Sequence, residues 1–332
     1  MDNPFSVINI DGRGQCAVAA RKIGKGEQIL AERPVIKLSL PDRWLLKPSG
    51  RRAAELRILK QVETTSKSDQ EAFWALHDCF ATGETKSALG IWRTNAIATR
   101  EGSNVSGIYS TGARFNHSCK PNVLCAWRES LGVEIFRAAR EILLGEELCI
   151  QYCDPEFPRT KRQTKLKNSY NFVCCCEVCS LQGETLLASD KLRNEFRKLD
   201  MAISQMASQP REALSFVNRA LEIIEQEFDG DPWLMKRACY DGFQMALYAR
   251  NVKLARSMMS RACVAKLLAE GEPEDEEIKL WRSYADNPYL HPIAIEEGLS
   301  ESQHAKRKRL CSSSSRKLHK VWRGVFKRNK TP

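Results

Sequence analysis

The sequence predicts an α+β protein: a strand-rich N-terminal half interrupted by a helical insertion, followed by a helical C-terminal region. Two patterns carry that prediction. Short apolar runs separated by turn residues fill 5–38 and return over 91–153. Between those stretches, and again from about residue 184, apolar residues recur at spacings of three and four. The chain is 332 residues long with 42 % hydrophobic residues. At about 100–200 residues per domain it can bury two or three cores.

The elements follow in order. VINI is followed by the turn Asp11-Gly12-Arg13-Gly14, where glycine supplies positive φ. CAVAARKI, the turn Gly24-Lys25-Gly26 and QILAERPVIKL come next, and apolar runs joined by a Gly-rich turn predict a hairpin. Pro41 and Pro48-Ser49-Gly50 break the strand pattern, and RRAAELRILKQV and SDQEAFWALHDCF predict a helical insertion over about 41–90. IWRTNAIA, SGIYST, NVLCAW, VEIFRAAR and GEELCIQY return to strand and turn chemistry. RNEFRKLDMAISQM, EALSFVNRALEIIEQEF, MKRACYDGFQMALYA and KLARSMMSRACVAKLLAEG then predict helices. ALSFVNRAL from Ala213 and ARSMMSRAC from Ala255 are similar at an offset of 42. Alternating helices with small residues at that offset suggest TPR-like hairpins, with a plain helical bundle as the alternative. The expected divisions are 1–182, 184–298 and a tail over 300–332.

Charge is distributed unevenly. Lys plus Arg number 52 and Asp plus Glu 41, a net +11. From Glu301 onward there are 11 basic residues and one acid, so the body is almost neutral and the basicity is a tail. Lys306-Arg307-Lys308-Arg309 reads as a nuclear import signal, with a weak, salt-dependent nucleic-acid contact as a second use. VWRGVF would suit a short basic amphipathic helix on an anionic surface, and a solvated tail is the bland alternative. No apolar run approaches the roughly 18 residues of a membrane span. MDNPFSVINIDGR lacks the pattern of a secretory leader, and NKTP that of a prenylation box. Nuclear residence is expected, with cytoplasmic residence second.

Thirteen cysteines in such a chain suggest thiols or metal ligands rather than disulfides. Cys174, Cys176 and Cys179 offer three thiolates within six residues. Tetrahedral zinc needs four ligands, at about 2.3 Å for sulfur. A remote fourth must close the site, and Cys119 is a candidate. Cys175, between two ligands, should point away. Reactive surface thiols are the alternative.

Three segments together resemble a SET-domain lysine methyltransferase. They are Arg114-Phe115-Asn116-His117-Ser118-Cys119-Lys120-Pro121-Asn122-Val123, then Gly145-Glu146-Glu147-Leu148-Cys149-Ile150-Gln151-Tyr152, then the cysteine triplet. Gly12-Arg13-Gly14 and Lys25-Gly26-Glu27 complete the order. The pattern is similar to SET proteins that carry a MYND zinc module. Here, however, the insertion holds one cysteine, Cys79, and one histidine, His77, too few for two zincs. The resemblance implies a knot-like β fold in which the Asn-His-Ser and Gly-Glu-Glu-Leu segments thread past each other, and a post-SET zinc held by Cys119, Cys174, Cys176 and Cys179.

The resemblance also implies S-adenosylmethionine as methyl donor and a lysine amine as acceptor. At a reference pKa near 10.4, only about one lysine in 2,500 is neutral at pH 7. The site would therefore need alignment and desolvation more than a strong base. By resemblance Tyr152 and Tyr170 are the catalytic aromatics, one orienting the amine and the other lining its channel. Gly12, Arg13, Gly14, Asn95, Asn116, His117, Tyr152 and Phe172 are implied as the cofactor's contacts. The expected substrate is a histone or another basic nuclear protein, methylated by a monomer. A cytoplasmic protein substrate, and an inactive SET-fold scaffold that binds a partner, are the competing readings.

Overall fold

The computed structural model describes residues 3–40, 47–99, 104–271 and 273–300. The start of the predicted insertion at 41–46 and nearly all of the basic tail lie outside the described residues.

The strand-rich half is built from small sheets. β1 (Phe5–Ile10) and β2 (Gly14–Ala19) form the hairpin, in register from Phe5↔Ala19 to Ile10↔Gly14. The hairpin expected across Gly24-Lys25-Gly26 does not form, because QILAERPVIKL pairs elsewhere and not with β2. That segment divides at Pro34 into β3 (Gln28–Glu32) and β4 (Ile36–Ser39), which join different sheets. β3 pairs with β9 (Val133–Ala138), which pairs in turn with β8 (Val123–Arg128). β4 pairs with β6 (Val105–Ile108), beside the two-residue β5 (Ile97–Ala98). β7 (Asn116–His117) and β10 (Cys149–Ile150) run parallel, with Cys149 opposite Asn116 and Ile150 opposite His117. The two motif-bearing segments therefore lie side by side.

The insertion carries α1 (Pro48–Glu63), α2 (Lys67–Trp74) and α3 (Ala88–Asn95). α3 corrects the strand expected for IWRTNAIA. Its start is fixed from a distance: the Glu55 carboxylate accepts from the Ala88 and Leu89 amides, and Asp78 accepts from Ser87 N–H. Ser87 adds an ordinary side-chain cap to Gly90 N–H. Eight residues with that much capping adopt a helix despite their mixed propensity.

α4 (Arg159–Tyr170) has almost no apolar spacing, and the sequence pattern does not announce it. The helical region follows: α5 (Gly183–Ile203), α6 (Pro210–Glu227), α7 (Pro232–Tyr248), α8 (Val252–Glu270), α9 (Glu276–Asp286) and α10 (Pro292–Glu296). Helices α5 to α9 pack in chain order. The similar segments fall on α6 and α8, and Ala213, Val217, Ala220 and Leu221 are buried in the same core as Ala255, Met259, Ala262 and Cys263.

The two halves meet along α8. Leu124 and Ala139 cluster with Ala269, and Trp233 packs on them. α8 ends at Gly271, whose φ of 73° and closeness to the Arg137 guanidinium leave no room for a side chain. Lys120 on the motif loop pairs with Asp229 at 2.8 Å.

Candidate active site and thiol cluster

The β1–β2 turn brings Gly12 and Gly14 to positive φ, 74° and 69°, with open space where a side chain would stand. Arg13 between them pairs with Glu147 at 2.8 Å. The Asn116 amide nitrogen lies 3.1 Å from Glu147 Oε1, 3.0 Å from Cys16 Sγ and 3.5 Å from the Arg13 carbonyl oxygen. Three segments more than a hundred residues apart at the extremes thus converge on one amide. Burial, then the neighbouring Glu147 carboxylate, push the Cys16 thiol up to about 11, so it stays protonated at neutral pH.

Asn122 lies in the same motif, six residues after Asn116. It is 3 % exposed, donates to Glu146 Oε1 and the Glu147 carbonyl, and accepts from Cys149 N–H at 2.8 Å. It clasps the Asn-His-Ser segment to the Gly-Glu-Glu-Leu segment. Only an amide offers donors and an acceptor at one site, and a buried amide must satisfy them.

An aromatic group adjoins this point. The Tyr152 ring lies 4.9 Å from Tyr170 and 5.4 Å from His117, and His117 lies 6.2 Å from Phe172. The Tyr152 hydroxyl donates to the Phe115 carbonyl at 2.9 Å, and the Tyr170 hydroxyl donates to the Tyr152 carbonyl at 3.4 Å. Burial pushes both phenols up, Tyr170 to about 12, so both remain hydrogen-bond donors at neutral pH.

His117 joins the two parts of the site. Its Nδ1 accepts from Tyr152 N–H at 3.0 Å, which leaves the proton of the neutral ring on Nε2, 3.3 Å from Cys119 Sγ. Burial lowers its pKa to about 4, so the ring is neutral.

Cys119, Cys174, Cys176 and Cys179 present four sulfurs within 4.8 Å of one another. Tetrahedral zinc with bonds of about 2.3 Å sets sulfurs roughly 3.8 Å apart, so this donor set fits the ion. Cys175 is exposed and outside the group. Cys153, which spacing did not single out, is buried and packs against the cluster as a fifth thiol.

Asn95 is not joined to these residues. At the end of α3 its amide donates to the His77 and Ile91 carbonyls, both at 2.7 Å. The expectation that it touches the cofactor gains no contact with Asn116, His117 or Tyr152.

The chain is similar to known proteins over much of its length. The SET domain family model matches residues 14–153. The histone-lysine N-methyltransferase set5 of Schizosaccharomyces pombe is 28 % identical over 297 residues, covering 87 % of this chain and 86 % of that protein. The N-lysine methyltransferase SMYD2 of Homo sapiens is 35 % identical over 120 residues, where the match spans 35 % of this chain and 26 % of SMYD2. Among solved structures, the SET domain of LSMT bound to lysine and AdoHcy superimposes with a TM-score of 0.37 at 13 % identity, over 90 % of this chain and 94 % of that one.

Proposed function

We propose that this chain, which carries a SET domain over residues 14–153 and is similar to protein-lysine methyltransferases, takes S-adenosylmethionine as its methyl donor and a lysine of a histone or another basic nuclear protein as its acceptor. The observation that carries the reading is the meeting of Arg13, Cys16, Asn116 and Glu147 beside the ring group of Tyr152, Tyr170, His117 and Phe172. A histone substrate draws support from the set5 relative, a histone-lysine N-methyltransferase.

The donor, when bound, supplies a methyl group made electrophilic by its sulfonium charge. Gly12, Arg13 and Gly14 form an open backbone turn for it, and the Asn116 amide and His117 backbone lie alongside. Phe172 gives an apolar face. Tyr152 and Tyr170 exclude water from the incoming amine, which lowers its pKa and frees its lone pair. With its hydrogen donated to the Phe115 carbonyl, the Tyr152 hydroxyl presents its oxygen lone pairs outward to orient the amine. Alignment of this kind, rather than proton abstraction by a strong base, supplies the rate.

Cys119, Cys174, Cys176 and Cys179 would hold one structural zinc, fastening the cofactor segment to the one that bears Tyr170 and Phe172. The helical region, read as TPR-like hairpins, offers a partner-binding platform. The basic tail directs the monomeric protein to the nucleus. Among the described residues no helix is long and apolar enough to cross a membrane.

The test is transfer of labelled methyl from S-adenosylmethionine into purified histones and whole-cell protein, comparing the native chain with Tyr152→Phe. The native chain should label a basic nuclear protein, and the variant should lose about 100-fold or more in rate. Cofactor binding without labelling would shift the substrate assignment, and absence of cofactor binding would favour a scaffold.

A further inference from the structure

Two arginines, Arg162 and Arg193, have side chains wholly shielded from solvent (0 % exposed). Arg193 has an anionic partner, Glu227, at 2.6 Å. Arg162 has none of that kind among the described residues. Its Nη1 donates to the Phe157 carbonyl, its Nη2 lies 3.7 Å from Cys179 Sγ, and its Nε has no hydrogen-bond partner.

A guanidinium does not shed its proton inside a protein. An uncompensated buried charge is strongly destabilising. The group available to offset it is the thiol cluster, and four neutral thiols would supply no charge. Four thiolates around a divalent ion carry a net charge of two minus, which a single cation beside them partly neutralises. The fork shape of arginine suits the place, with one arm on a carbonyl and the other on a sulfur.

We propose that Arg162 is the counter-ion of a tetrathiolate zinc centre at Cys119, Cys174, Cys176 and Cys179, a positioning residue that keeps the cluster metal-bound. This rests on the zinc reading given above. On metal binding each cysteine releases its proton to solvent, and no oxidation state changes.

The same helix extends the consequence. Gln163 brackets Cys174, donating to its carbonyl at 2.7 Å and accepting from its N–H at 2.9 Å. Leu166 packs on the cluster, and Tyr170 ends the helix in the aromatic group. Residues 162, 166 and 170 lie on one helical face. One short helix therefore carries the counter-ion, the anchor of a ligand and the channel tyrosine. Occupancy of the metal centre is coupled in this way to the position of Tyr170.

The experiment uses the full chain, native and as Arg162→Lys, Arg162→Gln and Arg162→Met, each loaded with zinc or with cobalt(II). Zinc transfer to a chromogenic chelator gives affinity, and the cobalt–thiolate charge-transfer absorption reports the sulfur environment without reference to activity. Arg162→Gln and Arg162→Met should bind zinc about 10- to 100-fold more weakly and shift the cobalt absorption, as loss of a metal site's outer support does. Arg162→Lys, which keeps the charge, should recover most of the affinity. Native-like zinc retention by the neutral variants would overturn the proposal, as would equal losses in Arg162→Lys and Arg162→Gln. If Arg162→Met fails to fold, the Lys and Gln pair decides the matter. A native chain that binds neither metal would overturn the zinc reading itself, a different result from a metal-bound chain indifferent to Arg162.

Discussion

Between α6 and α8 the chain buries Ala213, Val217, Ile223, Phe243, Met259 and Ala262 in one continuous apolar core. Around Cys119, a comparable depth of burial falls to thiols, Arg162, His117 and Asn122, each held by a polar or sulfur contact. The first region is held by area removed from water, which is non-directional and tolerant of local change. The second depends on a few directional contacts and on the charge of its centre. The difference teaches where vulnerability lies: the region assigned the chemistry is the one that rests on a few polar and sulfur contacts and on the zinc proposed for it.

The comparison is broken most severely by removing the metal. Structural zinc sites contribute on the order of 10 kcal/mol to folding. Chelation, or Cys176→Ser, should abolish amide-exchange protection across residues 115–123 and 159–180 while α6 to α8 keep theirs. Hydrogen exchange read by mass spectrometry makes that measurement, and equal loss in both regions would mean that they unfold as a unit.

Phe243→Ala attacks the other side. Phe243 is fully buried and packs edge-on to His291 at 4.9 Å. The substitution should cost about 3–5 kcal/mol in urea unfolding, with zinc content unchanged. Depleted zinc in the folded variant would show that the helical core supports the thiol cluster.

Asn122→Ala removes the clasp between the two motif segments. It strands the Cys149 amide and the Glu147 carbonyl, at a cost of about 1–3 kcal/mol. The loss should appear in denaturant unfolding together with weaker S-adenosylmethionine binding by calorimetry, because Asn116 sits on the same joined strands.

A pH dependence sharpens the comparison from a third region, the β3–β9–β8 sheet. Glu134 is 1 % exposed and accepts from the Tyr109 hydroxyl at 3.3 Å. Burial raises its pKa from 4.5 to about 8. The folded chain then holds a proton that the unfolded chain has lost, so this residue's contribution is fully present below about pH 4.5 and declines as pH rises through about 8. Glu134→Gln, which mimics the protonated form, should match the native melting temperature at pH 5 and exceed it at pH 9. A constant difference across that range would show that Glu134 does not titrate.

Much of this was legible in the residues, because much of it is local. The hairpin followed from alternating runs and a Gly-rich turn, and α6 and α8 from their apolar spacing. The thiol triplet followed from cysteine density, and the motif order pointed to a SET fold. α4 was not legible, because its buried face consists of Arg162 and Leu166, and a buried arginine reads in sequence as a surface residue. Nor was α3, since the carboxylates that start it come from Glu55 and Asp78. Asn95 could be placed in a motif but not in space, and its amide is taken up by His77 and Ile91 carbonyls. Sequence alone determined the local periods, the turns and the inventory of ligands and aromatics, because each depends on neighbours a few residues away. Only the tertiary structure decided that Arg13, Asn116 and Glu147 share one point and that Arg162 faces the thiols. Those meetings depend on parallel pairing and on compensation of buried charge, which act between residues that the chain itself keeps far apart.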